Sequence, residues 1–77
     1  MLKRSIAIRG HRTSIRLEAE FWAVLDAAAA ARGVSLPTLI ADIDNQRILA
    51  EPPPGLASAL RVFALAEAQS GVGDKPE

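Results

Sequence analysis

The chain has 77 residues, enough for one domain, and 49% of them are hydrophobic, which argues against disorder over most of its length. It contains no cysteine and one histidine, so its composition excludes disulfides, thiolate metal sites and a multi-histidine metal site within one chain. The formal net charge is zero, but residues 1–16 hold five basic and no acidic residues (+5), whereas residues 17–77 hold four basic and nine acidic residues (−5). A basic segment on an acidic body is typical of nucleic-acid binding, although a solvated basic tail would show the same charge.

The same composition limits the other function classes. A short apolar chain with no crosslink usually completes its core by oligomerising. No apolar run approaches the roughly 18 residues of a membrane span, and no apolar stretch follows Met1–Arg4 as in a secretion signal, so we expect a cytoplasmic protein. The only histidine lies in the basic segment and no glycine-rich phosphate loop is present, so we expect neither an enzyme nor a cofactor.

The first predicted element is a strand over about residues 12–17. Its alternation places Thr13, Ile15 and Leu17 on one face and the polar side chains on the other; these are Arg12, Ser14 and Arg16. One strand cannot satisfy its own backbone hydrogen bonds, and the chain offers no other convincing long strand. We therefore expect this strand to pair with the same strand of a second copy.

Residues 5–9 also alternate, but in the opposite phase. Ile6 and Ile8 are even-numbered while Ile15 and Leu17 are odd-numbered, so one regular strand would place the two pairs on opposite faces. Gly10 lies between them and permits a bulge or a bend. We predict a second short strand or an ordered arm over residues 3–9.

Three helices are predicted to follow, over about residues 18–32, 35–49 and 56–69. Gly33 is placed to end the first helix, and Ser35 is placed to cap the second, with Pro37 in its first turn. The Pro52–Gly55 segment separates the third helix from the second. Asp44 and Arg61 either pair between the second and third helices or are exposed separately. Residues 1–69 form a single domain, and the tail over residues 70–77 is expected to be disordered.

This order of elements resembles the ribbon-helix-helix superfamily over about residues 12–49. A closer resemblance, to the short proteobacterial proteins of the ribbon-helix-helix domain family, covers nearly all of the predicted ordered chain. The matching residues are Lys3-Arg4-Ser5-Ile6, Gly10-His11-Arg12-Thr13-Ser14-Ile15, Leu17-Glu18, Phe21-Trp22, Gly33, Ser35-Leu36, Leu39-Ile40, Ile43-Asp44 and Ser58-Ala59-Leu60-Arg61-Val62-Phe63.

The resemblance implies a mainly α fold with one N-terminal β-strand, an intertwined homodimer with a two-stranded antiparallel ribbon, and here a third C-terminal helix. It implies that the ribbon enters the major groove of double-stranded DNA, where Arg12, Ser14 and Arg16 would contact bases. It also implies phosphate contacts, from the amides at the start of the second helix and from the basic segment. The residues expected to make them are Lys3, Arg4, Arg9, His11, Ser35 and Leu36.

The function expected from this resemblance is a sequence-specific DNA-binding transcriptional regulator, expected to be a repressor. The alternative is a protein-interaction module or antitoxin-like protein of the same fold, which holds a protein partner through its acidic body and third helix. That helix could instead complete the core or join two dimers into a tetramer.

Overall fold

A computed structural model describes the backbone of residues 1–73 and the side chains of residues 1–70. A two-stranded antiparallel ribbon is followed by three helices, which confirms the predicted fold class. The elements are β1 (Leu2–Ile8), β2 (His11–Leu17), α1 (Ala19–Arg32), α2 (Leu36–Arg47) and α3 (Leu56–Gly73). Because α3 continues to Gly73, residues 70–73 belong to a helix rather than to the predicted disordered tail. The rest of that tail, residues 74–77, lies outside the described residues.

The ribbon differs from the sequence-based expectation because both of its strands come from one chain. β2 was expected to pair with a second copy of itself, but it pairs with β1, from Leu2 opposite Leu17 to Ile8 opposite His11. The cause is a two-residue turn at Arg9 and Gly10, whose φ angles of 50° and 80° are both positive, as in the tight turns that suit β-hairpins. Residues 3–9 were predicted to form a second short strand or an ordered arm, and of these two the strand is present, over Leu2–Ile8.

This turn also explains the change of phase along the sequence. In the observed register every even position of β1 faces an odd position of β2, and directly opposite residues lie on the same face of a sheet. Ile6 and Ile8 therefore share the inner face with Ile15 and Leu17, and all four side chains are buried.

The helix ends follow from local sequence signals. Gly33 adopts the left-handed conformation that ends α1, and the amide of Val34 donates to the carbonyl of Ala29 at 3.0 Å. Ser35 caps α2, because its Oγ accepts a hydrogen bond from the Thr38 amide at 3.2 Å. Both predicted caps are thus present, although α1 and α2 are one to three residues shorter than predicted.

The core lies between the inner face of the ribbon and the three helices. Its largest fully buried side chains come from β2 and the three helices and are Leu17, Trp22, Leu25, Ile40 and Leu60. Leu60 and Ala64 bring α3 into this cluster. One face of α3 therefore belongs to the core, which was one of the roles left open for the third helix.

Two ion pairs fasten α3 to the preceding elements. The guanidinium of Arg61 donates to Glu18 at 3.0 Å, and that of Arg32 donates to both carboxylate oxygens of Glu67 at 2.9 and 3.0 Å. The sequence allowed Arg61 either to pair with Asp44 or to be exposed separately, and neither arrangement is present. Asp44 is buried and contacts two other arginines.

Candidate nucleic-acid interface

The side chains of the ribbon that point away from the helices form a continuous exposed surface, which we call the outer ribbon face. It consists of Lys3, Ser5, Ala7, Arg12, Ser14 and Arg16, all of them exposed. The alternation of β2 thus places the three predicted base-contacting residues on the solvent side, opposite the buried Ile15 and Leu17. Ser5 and Ala7 were missed as members of this face because the pairing of β1 with β2 was not predicted. The change of phase at Gly10 was the available signal.

Cross-strand pairing arranges this face in three rows. Lys3 lies opposite Arg16, Ser5 lies opposite Ser14, and Ala7 lies opposite Arg12. The Arg12 guanidinium also donates a hydrogen bond to Ser5 Oγ at 3.3 Å. Like charges placed directly opposite each other destabilise a sheet. The Lys3–Arg16 row therefore costs the isolated fold some stability, and an anion bound over the face would relieve the repulsion.

The ion pairs separate the basic residues into two groups. Among residues 1–70, five arginines form ion pairs with carboxylates; these are Arg4, Arg9, Arg32, Arg47 and Arg61. In the same part of the chain, the lysine and arginine side chains outside those pairs are Lys3, Arg12 and Arg16. All three lie on the outer ribbon face. Positive charge without an internal partner is thus concentrated on one surface.

Arg4 fastens β1 to α1 instead of joining the outer ribbon face. Its guanidinium donates to both carboxylate oxygens of Asp26, at 3.0 and 3.2 Å, and lies 4.6 Å from the centroid of the Trp22 ring. The Trp22 indole N–H in turn donates to the Leu2 carbonyl at 2.9 Å. These contacts place the β1 end of the ribbon on α1 through a bidentate ion pair, a cation–π contact and a hydrogen bond.

Arg9 fastens the turn of the ribbon to α2. Its guanidinium donates to Asp44 and to the side-chain oxygen of Asn45. The Asp44 carboxylate also accepts from Arg47 Nε at 2.7 Å. Burial, the largest single influence on Asp44, raises its pKa, but the hydrogen bonds and charges of Arg47 and Arg9 together outweigh it, so the pKa of this carboxyl is lowered. Asp44 is therefore ionised in the folded protein at neutral pH.

We expect the free energy of unfolding to fall in acid, partly through Asp44. A carboxyl with a depressed pKa in the folded state stabilises the fold above its unfolded pKa of about 3.9, and this contribution is lost as the pH falls through the folded value. Urea denaturation at a series of pH values measures the effect. Asp44→Asn should be less stable at neutral pH and should lose less stability below about pH 4 than the wild type. Asp42→Asn is the control, because Asp42 is exposed on the same helix and forms no ion pair with residues 1–70. Equal acid dependence in wild type and Asp44→Asn would contradict the assignment.

The other predicted phosphate contacts lie outside the outer ribbon face. His11 is exposed at the start of β2, beside the turn. Ser35 and Leu36 begin α2, where the Ser35 hydroxyl is already engaged by Thr38 and Pro37 has no amide hydrogen to donate. Their contacts with phosphate remain predictions.

Neither a metal-binding cluster nor a membrane-spanning helix is present among the described residues. Among residues 1–73, no group of three His, Asp or Glu side chains is placed to hold a metal ion. No single helix among residues 1–73 is both long and apolar enough to cross a membrane. Only α1 and α2 together have the length and apolar composition of a membrane span, and these two helices are bent by 100° relative to each other.

Comparison with known proteins gives one result. A protein-family profile described as a ribbon-helix-helix domain matches residues 1–68, which include both strands, α1, α2 and most of α3. No curated protein and no solved structure matches the chain.

Proposed function

The chain belongs to the ribbon-helix-helix domain family, and on that premise we propose that it binds double-stranded DNA sequence-specifically through its outer ribbon face and represses transcription. Ribbon-helix-helix domains are typically DNA-binding modules of transcription regulators, are generally non-enzymatic, and usually bind DNA as dimers. The choice of surface, the reading of sequence and the repressor role are parts of this proposal.

One observation carries the proposal: the lysine and arginine side chains of residues 1–70 that lack a carboxylate partner all lie on the outer ribbon face. A surface that served only to keep the protein soluble would not require unpaired charges of a single sign to cluster on one face. The cross-strand repulsion between Lys3 and Arg16 further favours a role in binding an anion.

The dimensions and chemistry of the face suit the major groove. The groove is about 12 Å wide and admits a two-stranded ribbon. Arg12 and Arg16 would each offer two donors to guanine O6 and N7, and Ser14 would bond a neighbouring base edge. The central row of Ser5 and Ser14 is short, so the backbone of the ribbon can approach the floor of the groove.

Phosphate contacts would fix the ribbon in the groove without reading the sequence. Lys3 and His11 are placed at opposite ends of the ribbon for this role, and the first amides of α2, at Ser35 and Leu36, would add the partial positive charge of a helix N-terminus. Arg4 and Arg9 were predicted to contact phosphate as well, but unlike Lys3 each already forms an ion pair with a carboxylate of the same chain.

A homodimer is part of the proposal. Within residues 1–73 the sheet has only two strands, so the outer edges of β1 and β2 present unpaired backbone groups. Pairing of β2 with β2 of a second copy would use one of these edges and make the two β2 strands the central two-stranded ribbon that enters the groove. It would place two sets of Arg12, Ser14 and Arg16 across a two-fold axis, with each β1 strand beside a phosphate backbone. Two related half-sites in the DNA would then be expected.

The test is binding to duplex DNA across a salt series. Fluorescence anisotropy of a labelled duplex between about 50 and 200 mM salt should show log K falling linearly with log salt, with a slope of about −0.9 for each neutralised phosphate. Selection from a random-sequence duplex pool should then yield a preferred sequence with two related halves. Absence of binding at low salt, or binding that ignores salt, contradicts the proposal.

A second candidate function, partner binding through α3, is favoured by one observation. Although the inner face of α3 belongs to the core, Val62 and Leu65 on its other side are 64% and 55% exposed. In this alternative, Val62→Ser combined with Leu65→Ser would abolish association with a protein partner and leave the salt-dependent binding of DNA unchanged. Loss of DNA binding in that variant would contradict it.

A further inference from the structure

We infer that Ser5 of β1 is a positioning residue for Arg12 of β2, and that the preference for the base pair read by Arg12 depends on it. The inference rests on the proposed function and deepens it, because it adds to the predicted base-contacting residues one that acts through another side chain. The contact that carries it lies on the outer ribbon face, where the Arg12 guanidinium donates a hydrogen bond to Ser5 Oγ at 3.3 Å.

The cross-strand register explains why the Arg12 side chain reaches Ser5. Arg12 lies directly opposite Ala7, and Ser5 is the next residue of β1 on the same face, so the contact is diagonal. Diagonal neighbours of this kind lie about 7–8 Å apart at their Cα atoms, within reach of a long side chain. Because Ala7 carries only a methyl group, the opposite position leaves room for the guanidinium to extend toward Ser5.

This hydrogen bond leaves the Arg12 guanidinium able to read a base. Arginine has five N–H donors in a planar fork, and the contact with Ser5 uses the terminal nitrogen Nη1. The edge formed by Nε and Nη2 therefore stays available for guanine O6 and N7. Since the hydroxyl is neutral, it fixes the guanidinium without compensating its charge, unlike the carboxylates that pair with Arg4 and Arg32.

Arg16 provides a comparison on the same face. Ser5 lies directly opposite Ser14, so Arg12 and Arg16, each two positions from Ser14, are both its diagonal neighbours. The Ser5 hydroxyl accepts from Arg12, whereas Arg16 lies opposite Lys3, a residue of like charge. Loss of the hydroxyl should therefore affect the base pair read by Arg12 and leave the one read by Arg16 unchanged.

The first measurement is the effect of Ser5→Ala on binding to the selected sequence. An arginine that is not held in place loses more rotamer freedom on binding, so the Kd should rise roughly 2- to 10-fold. Sequence preference should relax at the base pair that Arg12→Ala also relaxes, and it should persist at the base pair that depends on Arg16. The salt slope should equal that of the wild type, because no charge is removed.

A double-mutant cycle separates positioning from a direct contact of Ser5 with DNA. In the Arg12→Ala background, Ser5→Ala should cause no further rise in Kd, because the side chain that it positions is already missing. Ser58→Ala is the matched control, since Ser58 is an exposed serine on α3, and it should bind as the wild type does.

A second pair of variants tests the hydroxyl itself and replaces Ser5→Ala if that variant does not fold. Ser5→Thr keeps the hydroxyl and should retain the wild-type Kd and sequence preference. Ser5→Val has nearly the same shape without the hydroxyl and should behave as Ser5→Ala. Both are β-branched residues that suit a strand, so the comparison isolates the hydrogen bond from strand propensity.

Three results would overturn the inference. The first is an unchanged Kd and preference in both Ser5→Ala and Ser5→Val. The second is an equal loss from Ser5→Ala with and without Arg12, which would assign Ser5 a DNA contact of its own. The third is a reduced salt slope in Ser5→Ala, which would assign the contact to phosphate. In all three the proposed function stands, because the wild type still binds DNA; if the wild type binds no duplex at low salt, both fail together.

Discussion

Replacing Arg16 with alanine should weaken binding to the selected DNA sequence by about 1–3 kcal/mol, which corresponds to roughly a 5- to 150-fold rise in Kd. The reason is the loss of a two-donor contact to a guanine edge. Arg12→Ala should have an effect of similar size. A base-reading arginine also differs from a phosphate-binding one, because its removal should relax sequence preference at one position of each half-site, whereas a phosphate contact affects all sequences alike.

The measurement is the Kd of each variant for the selected sequence and for single-base substitutions of it. Arg32→Gln is the matched control, because Arg32 is also a surface arginine but is ion-paired to Glu67 on the helical body. Arg32→Gln should bind the selected sequence and its single-base substitutions with the same Kd values as the wild type. If Arg16→Ala and Arg32→Gln prove equally harmless, the outer ribbon face is not the DNA-binding surface.

The largest effect on stability is expected from Trp22→Ala, which should lower the free energy of unfolding by about 3–5 kcal/mol. The substitution removes the largest fully buried side chain, and with it the hydrogen bond to the Leu2 carbonyl and the surface on which Arg4 lies. A domain of this length has a total free energy of unfolding of about 4–12 kcal/mol, so the loss is a large fraction of the total stability.

Urea denaturation followed by far-UV circular dichroism measures this change, since the variant lacks tryptophan emission. Val62→Ala is the control, because its side chain is exposed, and its effect should be within about 0.5 kcal/mol. Trp22→Phe should fall between the two, because it keeps an aromatic ring in the core but loses the indole N–H that bonds Leu2. A Trp22→Ala variant as stable as Val62→Ala would mean that β1 does not pack on α1 as described.

The helical part of the fold could be predicted closely because its signals are local. Gly33 can adopt a left-handed conformation with no Cβ penalty, and Ser35 can accept the amide of Thr38 within a single turn. These interactions join residues a few positions apart, so they can be read directly from spacing. The exposure of Arg12, Ser14 and Arg16 was predictable for the same reason, because the two-residue period of a strand separates them from Ile15 and Leu17.

The strand pairing was only half predictable. The alternation of Ile6 and Ile8 indicated a strand, and the change of phase at Gly10 indicated a break. The positive φ of Arg9 was not foreseen, since a non-glycine residue rarely adopts it. Because the sequence did not predict a turn of two residues, it predicted a second copy rather than β1 as the partner of β2.

The sequence by itself therefore determined the elements, their caps and the polarity of the two ribbon faces, because each depends on residues that are neighbours along the chain. Only the tertiary structure decided which cationic side chains form ion pairs within the chain and which remain available to bind an anion. Arg4 and Lys3 are adjacent and chemically similar, but Arg4 meets Asp26, 22 positions away, and Arg9 meets Asp44, 35 positions away. Such pairings depend on where packing places the helices against the ribbon, and no local spacing in a single sequence carries that information.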